Sequence, residues 1–210
     1  SIQTKRGCSH NCIYCTYTQI EGKKFRTRTA KNIVDEIEEV SNRLGDITFE
    51  FVDSTFNDPP GHAEAICKEI CGRKLNVRLR TMGINPSNTS EELFELMLKA
   101  GFSQIDCTPD SASSEMLSNY QKNFSINELE KTAQIIKKFD IPTMWFFIFG
   151  GPGETKNTLD ESFEFIDKWI NKNDMVHMTQ GLRIYPNTPL YKLLLERGKL
   201  DKQQSLLDPL

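Results

Sequence analysis

The chain has 210 residues, enough for one sizeable hydrophobic core, and we expect a single domain over residues 1–210. Charged residues make up 26% of the sequence and the net charge is −3, which does not favour a nucleic-acid-binding face. No apolar run approaches the ~20 residues that a membrane-spanning helix needs. Six cysteines without a signal peptide indicate a reducing compartment, so we expect a soluble cytoplasmic protein.

The first chemically informative stretch is residues 7–15, which read Gly-Cys-Ser-His-Asn-Cys-Ile-Tyr-Cys. Cys8, Cys12 and Cys15 form a C-x3-C-x2-C array, and three thiolates on one loop can hold three corners of a cubane iron–sulfur cluster. The next cysteine is Cys67, so no fourth ligand is nearby. One iron would then lack a protein ligand and could bind the oxygen and nitrogen atoms of a small molecule.

Two other interpretations of this loop stay open. A structural zinc ion normally takes four ligands in a closed tetrahedron, and His10 is an awkward fourth ligand because it lies inside the Cys8–Cys12 loop. A fully ligated cluster that only transfers electrons would need a ligand distant in sequence. A disulfide framework is disfavoured because three neighbouring cysteines cannot all pair among themselves.

Downstream of the loop, apolar periodicity and capping patterns predict alternating strands and helices. The predicted strands are residues 2–5, 47–53, 77–82, 104–108, 143–149 and a segment within 175–185. The predicted helices are residues 29–44, 59–71, one opened by a capping box at 89–92, one opened by a capping box at 125–128, one capped by 158–161, and one from Thr188-Pro189 to Gly198.

About six strand–helix units imply parallel strands with right-handed crossovers. We therefore expect an α/β fold, a partial (β/α)6 barrel with parallel strands, with a doubly wound open sheet as the alternative. In such folds the functional loops leave the carboxyl ends of the strands. Polar and glycine residues do follow the predicted strands: Asp53, Ser54, Thr55, Asp110, Ser111, Gly150, Gly151 and Arg183.

The cysteine array, with Tyr14 just before Cys15, resembles the signature of the radical S-adenosylmethionine (SAM) enzymes. The resemblance implies a [4Fe-4S] cluster on Cys8, Cys12 and Cys15. It also implies that the cluster reductively cleaves SAM to a 5′-deoxyadenosyl radical, which acts on an unactivated carbon. The backbone at Tyr14 is then expected to contact the adenine of SAM.

The same resemblance assigns roles at the other strand ends. Asp53, Ser54 and Thr55 occupy the place where many members carry a Gly-Gly-Glu stretch that receives the SAM amino group. Asp110 is expected at the ribose hydroxyls, and Ser111 or Ser113 at the SAM carboxylate. The pair Gly150 and Gly151 is expected to approach the adenine. Apart from the resemblance, Arg80 and Arg183 lie near the ends of predicted strands, where either could neutralise a carboxylate of SAM or substrate.

Four motifs resemble the cobalamin-binding subgroup of that superfamily, which includes class B methylases and the anaerobic magnesium-protoporphyrin cyclase group. They are Cys-Ile-Tyr-Cys-Thr-Tyr, Phe-Val-Asp-Ser-Thr-Phe-Asn, Phe-Gly-Gly-Pro-Gly-Glu-Thr and Arg-Ile-Tyr-Pro-Asn-Thr-Pro-Leu. Cobalamin would bind through a domain absent from this chain, and cobalamin-dependent methyl transfer is then the alternative outcome. A methylthiotransferase-like enzyme is the nearest competitor.

The resemblance also implies the partners. We expect a small-molecule or lipid-like substrate, an electron donor such as flavodoxin or ferredoxin, and no nucleic acid. The chain opens at Ser1 only a few residues before the cysteine loop and closes in a polar, Pro-containing tail. We therefore expect it to be a piece of a longer protein.

Overall fold

Strands and helices alternate along the chain, which a computed structural model describes for residues 1–201. The polar tail noted above falls in residues 202–210 and lies outside the described residues. In chain order the elements are β1 (Lys5–Arg6), α1 (Tyr17–Ile20), β2 (Arg26–Thr27), α2 (Ala30–Leu44), β3 (Thr48–Phe51), α3 (His62–Gly72), β4 (Arg78–Ile84), a 3-10 turn (Pro86–Asn88), α4 (Glu91–Ala100), β5 (Phe102–Asp110), α5 (Ser114–Asn119), α6 (Ile126–Phe139), β6 (Thr143–Phe149), α7 (Lys156–Trp169), β7 (Met175–Gln180) and α8 (Pro189–Glu196).

The central sheet confirms the predicted α/β fold with parallel strands. It contains β3, β4, β5, β6 and β7 in that order, and every neighbouring pair is parallel. Sequential parallel neighbours joined by helices are the arrangement that βαβ crossovers produce. Within residues 1–201, β3 and β7 form the two ends of the sheet and do not pair with each other, so the barrel is partial and open.

The predicted first strand is much shorter than expected. Ile2 forms one parallel bridge to Phe51, with the Ile2 N–H donating to the Glu50 carbonyl over 2.7 Å. The chain then turns, and β1 pairs antiparallel with β2. Ile2 is the only apolar side chain in residues 2–6, too few for a strand buried on both faces.

The two faces of the sheet have different partners. One face carries Phe51, Leu79, Trp145 and Phe147, which are fully buried in the main core. Helices α2, α3, α4, α6 and α7 supply the apolar side chains that cover this face. Side chains that alternate with these point to the other face, which we call the lumen face: Glu50, Arg80, Asp106, Phe146 and His177.

Helix starts were predicted with mixed success. The capping box of Ser125 and Glu128 at α6 is confirmed. The N-cap of α4 is Ser90 rather than Thr89, and the N-cap of α7 is Thr155, whose partner in the box is Thr158 rather than Glu161. The error has a physical cause, because adjacent Ser and Thr residues can all cap and the apolar period alone cannot choose among them.

The carboxyl ends of the parallel strands meet at one edge of the sheet, where the cysteine loop also lies. Helices α1 and α5, which are four and six residues long, were not predicted because they are too short to show a period. No helix among residues 1–201 combines the length and the apolar character needed to span a bilayer.

Candidate functional site

A cavity of about 250 Å³ opens at this edge of the sheet. That volume is just below the roughly 300 Å³ at which typical small-molecule pockets begin. The lining combines the cysteine loop with residues that follow β3, β4 and α5, and it includes Cys8, His10, Cys12, Tyr14, Cys15, Ser54, Thr55, Asn85, Thr108, Asp110, Lys122 and Ile148. The structure therefore brings all three predicted cluster ligands to one cavity, together with Tyr14, Ser54, Thr55 and Asp110.

Backbone contacts fix the cysteine loop. The Cys8 N–H donates to the Gly22 carbonyl over 3.1 Å, and the Ile13 N–H donates to the Tyr120 carbonyl over 3.1 Å. Gly7 has a φ of +90°, and a Cβ there would collide with the backbone oxygen of Lys24. Only glycine combines this conformation with this close approach. The loop thus holds its shape through partners in distant elements.

The thiols suit a cluster that supplies its own positive charge. Burial raises the pKa of the Cys8 and Cys12 thiols, while Lys122 opposes the rise at Cys12. A thiolate in such a place is stabilised when it binds a metal. Among residues 1–201, no three His, Cys, Asp or Glu side chains converge closely enough to hold a single metal ion. A cubane instead takes thiolates spread around a cavity, each bound to its own iron, so the three cysteines fit it.

Asp110 is the charged centre of the cavity. Its Oδ2 accepts hydrogen bonds from the Tyr14 hydroxyl and from Lys122 Nζ, the latter over 2.7 Å. Burial disfavours the charge on Lys122, but Asp110, Cys12 and Cys107 together outweigh it and raise the pKa of that ammonium. Burial, and then Asp110, raise the pKa of Tyr14 far above its ordinary value. The cavity therefore holds a neutral phenol beside a buried ion pair.

A second buried network holds the other side of the loop. Asp58 Oδ2 accepts from His10 Nε2 over 2.8 Å and from Asn85 Nδ2 over 2.8 Å. Burial opposes the charge of Asp58, but these donors lower its pKa overall. Because a carboxylate only accepts, His10 Nε2 carries a hydrogen and donates it to Asp58. The network ties the cysteine loop to the loops that follow β3 and β4.

Asp53, predicted at the SAM amino group, lies beside the cavity rather than in it. Its Oδ1 accepts from the Thr4 N–H over 2.8 Å, and its Oδ2 accepts from the Thr4 hydroxyl and faces Lys5 Nζ at 3.3 Å. Both Asp53 and Lys5 are buried. The carboxylate thus joins the first residues of the chain to the end of β3, and its contact with SAM stays a prediction that these bonds do not favour.

Four further predicted residues do not line the cavity, and their contacts with SAM stay predictions. Ser111 is buried, with its Oγ 3.2 Å from that of Ser162. Arg183 is exposed and lies over the ring of Tyr185. A Cβ on Gly151 would overlap the ring of Tyr120, and the Gly150 N–H donates to Glu154. The missing side chain of Gly151 is therefore needed for the packing of Tyr120.

The sequence did not point to Lys122 or Asp58. Lys122 follows the short helix α5, where no apolar period marks which side chains face inward. Asp58 stands before Pro59 in a loop, and its partners are distant in sequence. His10 was disfavoured as a zinc ligand, and its bond to Asp58 was not predicted. Polar residues clustered after the parallel strands, and this pattern predicted the edge of the sheet where the site lies. It did not predict which charged side chains pair there.

Comparison with protein families gives a clear match. The profile of the Radical SAM superfamily matches residues 2–166 of the chain. Curated relatives include tryptophan 2-C-methyltransferase from Streptomyces laurentii, 28% identical over 94% of this chain and 35% of its own length. Anaerobic magnesium-protoporphyrin IX monomethyl ester cyclase from Cereibacter sphaeroides is 28% identical over 91% of this chain and 31% of its own length. The chain thus spans about a third of the length of each of these two relatives.

Solved structures agree with the sequence comparison. The radical S-adenosylmethionine methyltransferase TsrM from Kitasatospora setae, with cobalamin and a [4Fe-4S] cluster bound, has a TM-score of 0.86 and 27% identity over 93% of this chain and 36% of that one. The cobalamin-dependent radical enzyme OxsB has a TM-score of 0.75 at 16% identity over 94% of this chain and 35% of that one, which supports the fold alone.

Proposed function

The chain belongs to the Radical SAM superfamily, and from this premise we propose that it is the catalytic unit of a cobalamin-dependent enzyme that modifies a carbon atom of a small molecule. The observation that carries the proposal is one cavity that holds Cys8, Cys12 and Cys15 beside Asp110. The likeness to TsrM, which has been solved with a tryptophan substrate and a SAM analogue, supports a small organic substrate. A flavodoxin or ferredoxin is the proposed electron donor.

In this proposal Cys8, Cys12 and Cys15 hold a [4Fe-4S] cluster. A bound cluster of this kind supplies an electron that breaks a carbon–sulfur bond of SAM, giving methionine and a 5′-deoxyadenosyl radical. The residues of the chain position and enclose the reactants. Tyr14 and Lys122 both bond Oδ2 of Asp110, so we assign Oδ1 to the ribose hydroxyls.

The rest of the cavity wall has a positioning role. Ser54 and Thr55 line the cavity, and their peptide groups are the proposed contacts of the SAM ammonium. The pair of His10 and Asp58 keeps the loop rigid between Cys8 and Cys12. A rigid wall matters because a 1 Å displacement of reacting groups can cost a large rate factor.

The test is an anaerobic reconstitution of the protein with iron and sulfide, followed by reduction with dithionite in the presence of SAM. We expect 5′-deoxyadenosine by mass spectrometry, or S-adenosylhomocysteine when cob(I)alamin is supplied to accept the methyl group of SAM. Cys12→Ala should abolish both products. Cys71→Ala, which removes a thiol outside the cavity, should retain them. Iron-loaded protein that yields neither product would contradict the proposal.

A further inference from the structure

The lumen face of the sheet continues directly below the cofactor cavity. Thr108 on β5 and Ile148 on β6 both line that cavity. Asp106 and Phe146 stand two residues earlier on the same strands and hence on the same face. Two residues along a strand correspond to about 6.6 Å. A small molecule of ordinary length that touches the cofactor cavity can therefore reach Asp106.

Asp106 is a buried carboxylate with an unused acceptor. Its side chain is 5% exposed, and Oδ1 accepts no hydrogen bond. The nearest cation is Arg80, whose Nη2 is 3.8 Å from Oδ1, and Arg80 is already engaged by Glu50 Oε1 at 2.9 Å from Nε. With all three groups ionised, two carboxylates face one guanidinium. The cluster therefore carries one uncompensated negative charge.

Burial raises the pKa of Asp106, Arg80 opposes the rise, and Glu50 adds to it. A buried carboxylate without full compensation is costly, so its retention suggests a role other than stability. The two partners are open to solvent, since the side chains of Arg80 and Glu50 are 33% and 31% exposed. Water and small solutes can thus reach the cluster from the lumen.

The part of the lumen face next to Asp106 is apolar and aromatic, since Met144 on β6 is the registered neighbour of Asp106. The rings of Phe146 and His177 lie 5.2 Å apart, and Met144 precedes Phe146 on the same face. A ligand that lies across these two parts of the face would present one positive group to Asp106 and an apolar body to Phe146. A buried charge gains most from a partner that is both opposite in charge and a hydrogen-bond donor.

We propose that Asp106 anchors a protonated amine of the substrate, so that the substrate is an aromatic or aliphatic ammonium compound held in the lumen below the cofactor cavity. The inference rests on the proposed function, because it names the substrate class of that site. Asp106 is a positioning residue here, since it holds a part of the substrate remote from the reacting carbon. The ion pair of Arg80 with Glu50 holds the guanidinium 3.8 Å from Asp106 Oδ1, which leaves that oxygen to the amine of the substrate.

The test measures the binding of two probes to cluster-reconstituted protein in the presence of SAM. The probes are phenethylamine, which is a cation at neutral pH, and 2-phenylethanol, its neutral analogue. We expect phenethylamine to bind more tightly, and Asp106→Asn to weaken it about tenfold while changing 2-phenylethanol less than about twofold. Asp160→Asn, at an exposed site on α7, is the matched control and should change neither.

Stability provides a second measurement. Asp106→Asn should leave the unfolding midpoint unchanged or raise it. The ion pair between Arg80 and Glu50 is retained, and the substitution removes the desolvated charge of Asp106. Equal binding of the two probes, an unaltered phenethylamine affinity in Asp106→Asn, or a marked fall of its midpoint would overturn the inference. The SAM-induced change in the cluster spectrum, recorded on the same samples, reports separately on the proposed function.

Discussion

Asp110 and Lys122 form the ion pair on which the cofactor cavity depends most directly. Their side chains are 6% and 8% exposed, so neither charge has much access to water. Lys122→Met should destabilise the cluster-free protein by about 3–5 kcal/mol, because it leaves the Asp110 carboxylate buried without its cation. Urea unfolding measures the change.

The double variant Lys122→Met with Asp110→Asn should recover most of that loss, since no uncompensated charge remains. Lys99→Met, which removes an exposed i,i+4 pair with Glu95, is the control and should have little effect. A Lys122→Met protein as stable as the wild type would mean that water reaches Asp110 and that the cavity is more open than described here.

His62 gives a pH dependence with a definite sign. Burial lowers its pKa from 6.5 to about 4, and its Nε2 lies 2.9 Å from the Thr4 hydroxyl. The unfolded chain therefore binds a proton at this residue between about pH 6.5 and 4, where the folded chain does not. The contribution of neutral His62 to the free energy of unfolding is complete above about pH 6.5 and is lost as the pH falls through this window.

His62→Gln keeps a donor for Thr4 but does not titrate. The difference in unfolding free energy between pH 7 and pH 4.5 should be smaller in the variant than in the wild type. We expect the substitution to reduce that difference by about 1–2 kcal/mol, which allows for solvent screening at this half-buried ring. Cluster-free protein is used for both. Parallel pH profiles for the two proteins would contradict the assignment.

At the scale of single residues, sequence reasoning succeeded where the chemistry is local. The spacing of Cys8, Cys12 and Cys15 lies within eight residues and identified the loop directly. Lys122 was not predicted as a site residue, because its inward orientation depends on the packing of α5 and not on a local pattern. Asp53 was assigned to SAM because it occupies the place of the Gly-Gly-Glu stretch of related enzymes. Its carboxylate instead contacts Thr4 and Lys5, and no local pattern reveals such distant partners.

At the scale of elements, Gly7 shows how one position sets the cysteine loop. Gly7→Ala would place a methyl group against the Lys24 carbonyl at a φ of +90°, so the loop must move. We expect a loss of at least about 1 kcal/mol in stability and a lower cluster content after reconstitution. Gly72→Ala is the matched control, because its φ is ordinary and no atom lies within 4 Å of the added Cβ.

Urea unfolding and iron analysis check both variants. Gly72 lies at the end of α3, where alanine is the better helix former, so Gly72→Ala should be neutral or slightly stabilising. If Gly7→Ala reconstituted as well as Gly72→Ala, the proposed constraint on the loop would be wrong.

The alternation of strands and helices was predictable because each element carries its own period. Strand β6 was placed at its observed bounds, and α2 to within one residue. The first strand was not predictable in the same way. Its residues 2–6 contain one apolar side chain, so their pairing with Phe51 and with β2 depends on partners that the local sequence does not specify.

At the scale of the whole molecule, the open sheet and its rim explain why the chemistry gathers at one edge. Parallel strands direct all their carboxyl ends to the same side, and the cysteine loop covers that side. The partial barrel was therefore predictable as a class. The division of the lumen face into a charged side at Glu50, Arg80 and Asp106 and an apolar side at Phe146 was not, because strand register decides it.

The most direct test of the account is the electron paramagnetic resonance spectrum of the anaerobically reconstituted, dithionite-reduced protein, recorded with and without SAM. We expect about four iron atoms per chain and a reduced-cluster signal that changes when SAM is added, because one iron has no cysteine ligand. Cys71→Ala should show the same change, and Cys15→Ala should lack the signal. A cluster signal that is identical with and without SAM, or tightly held zinc with no iron in anaerobic preparations, would contradict it.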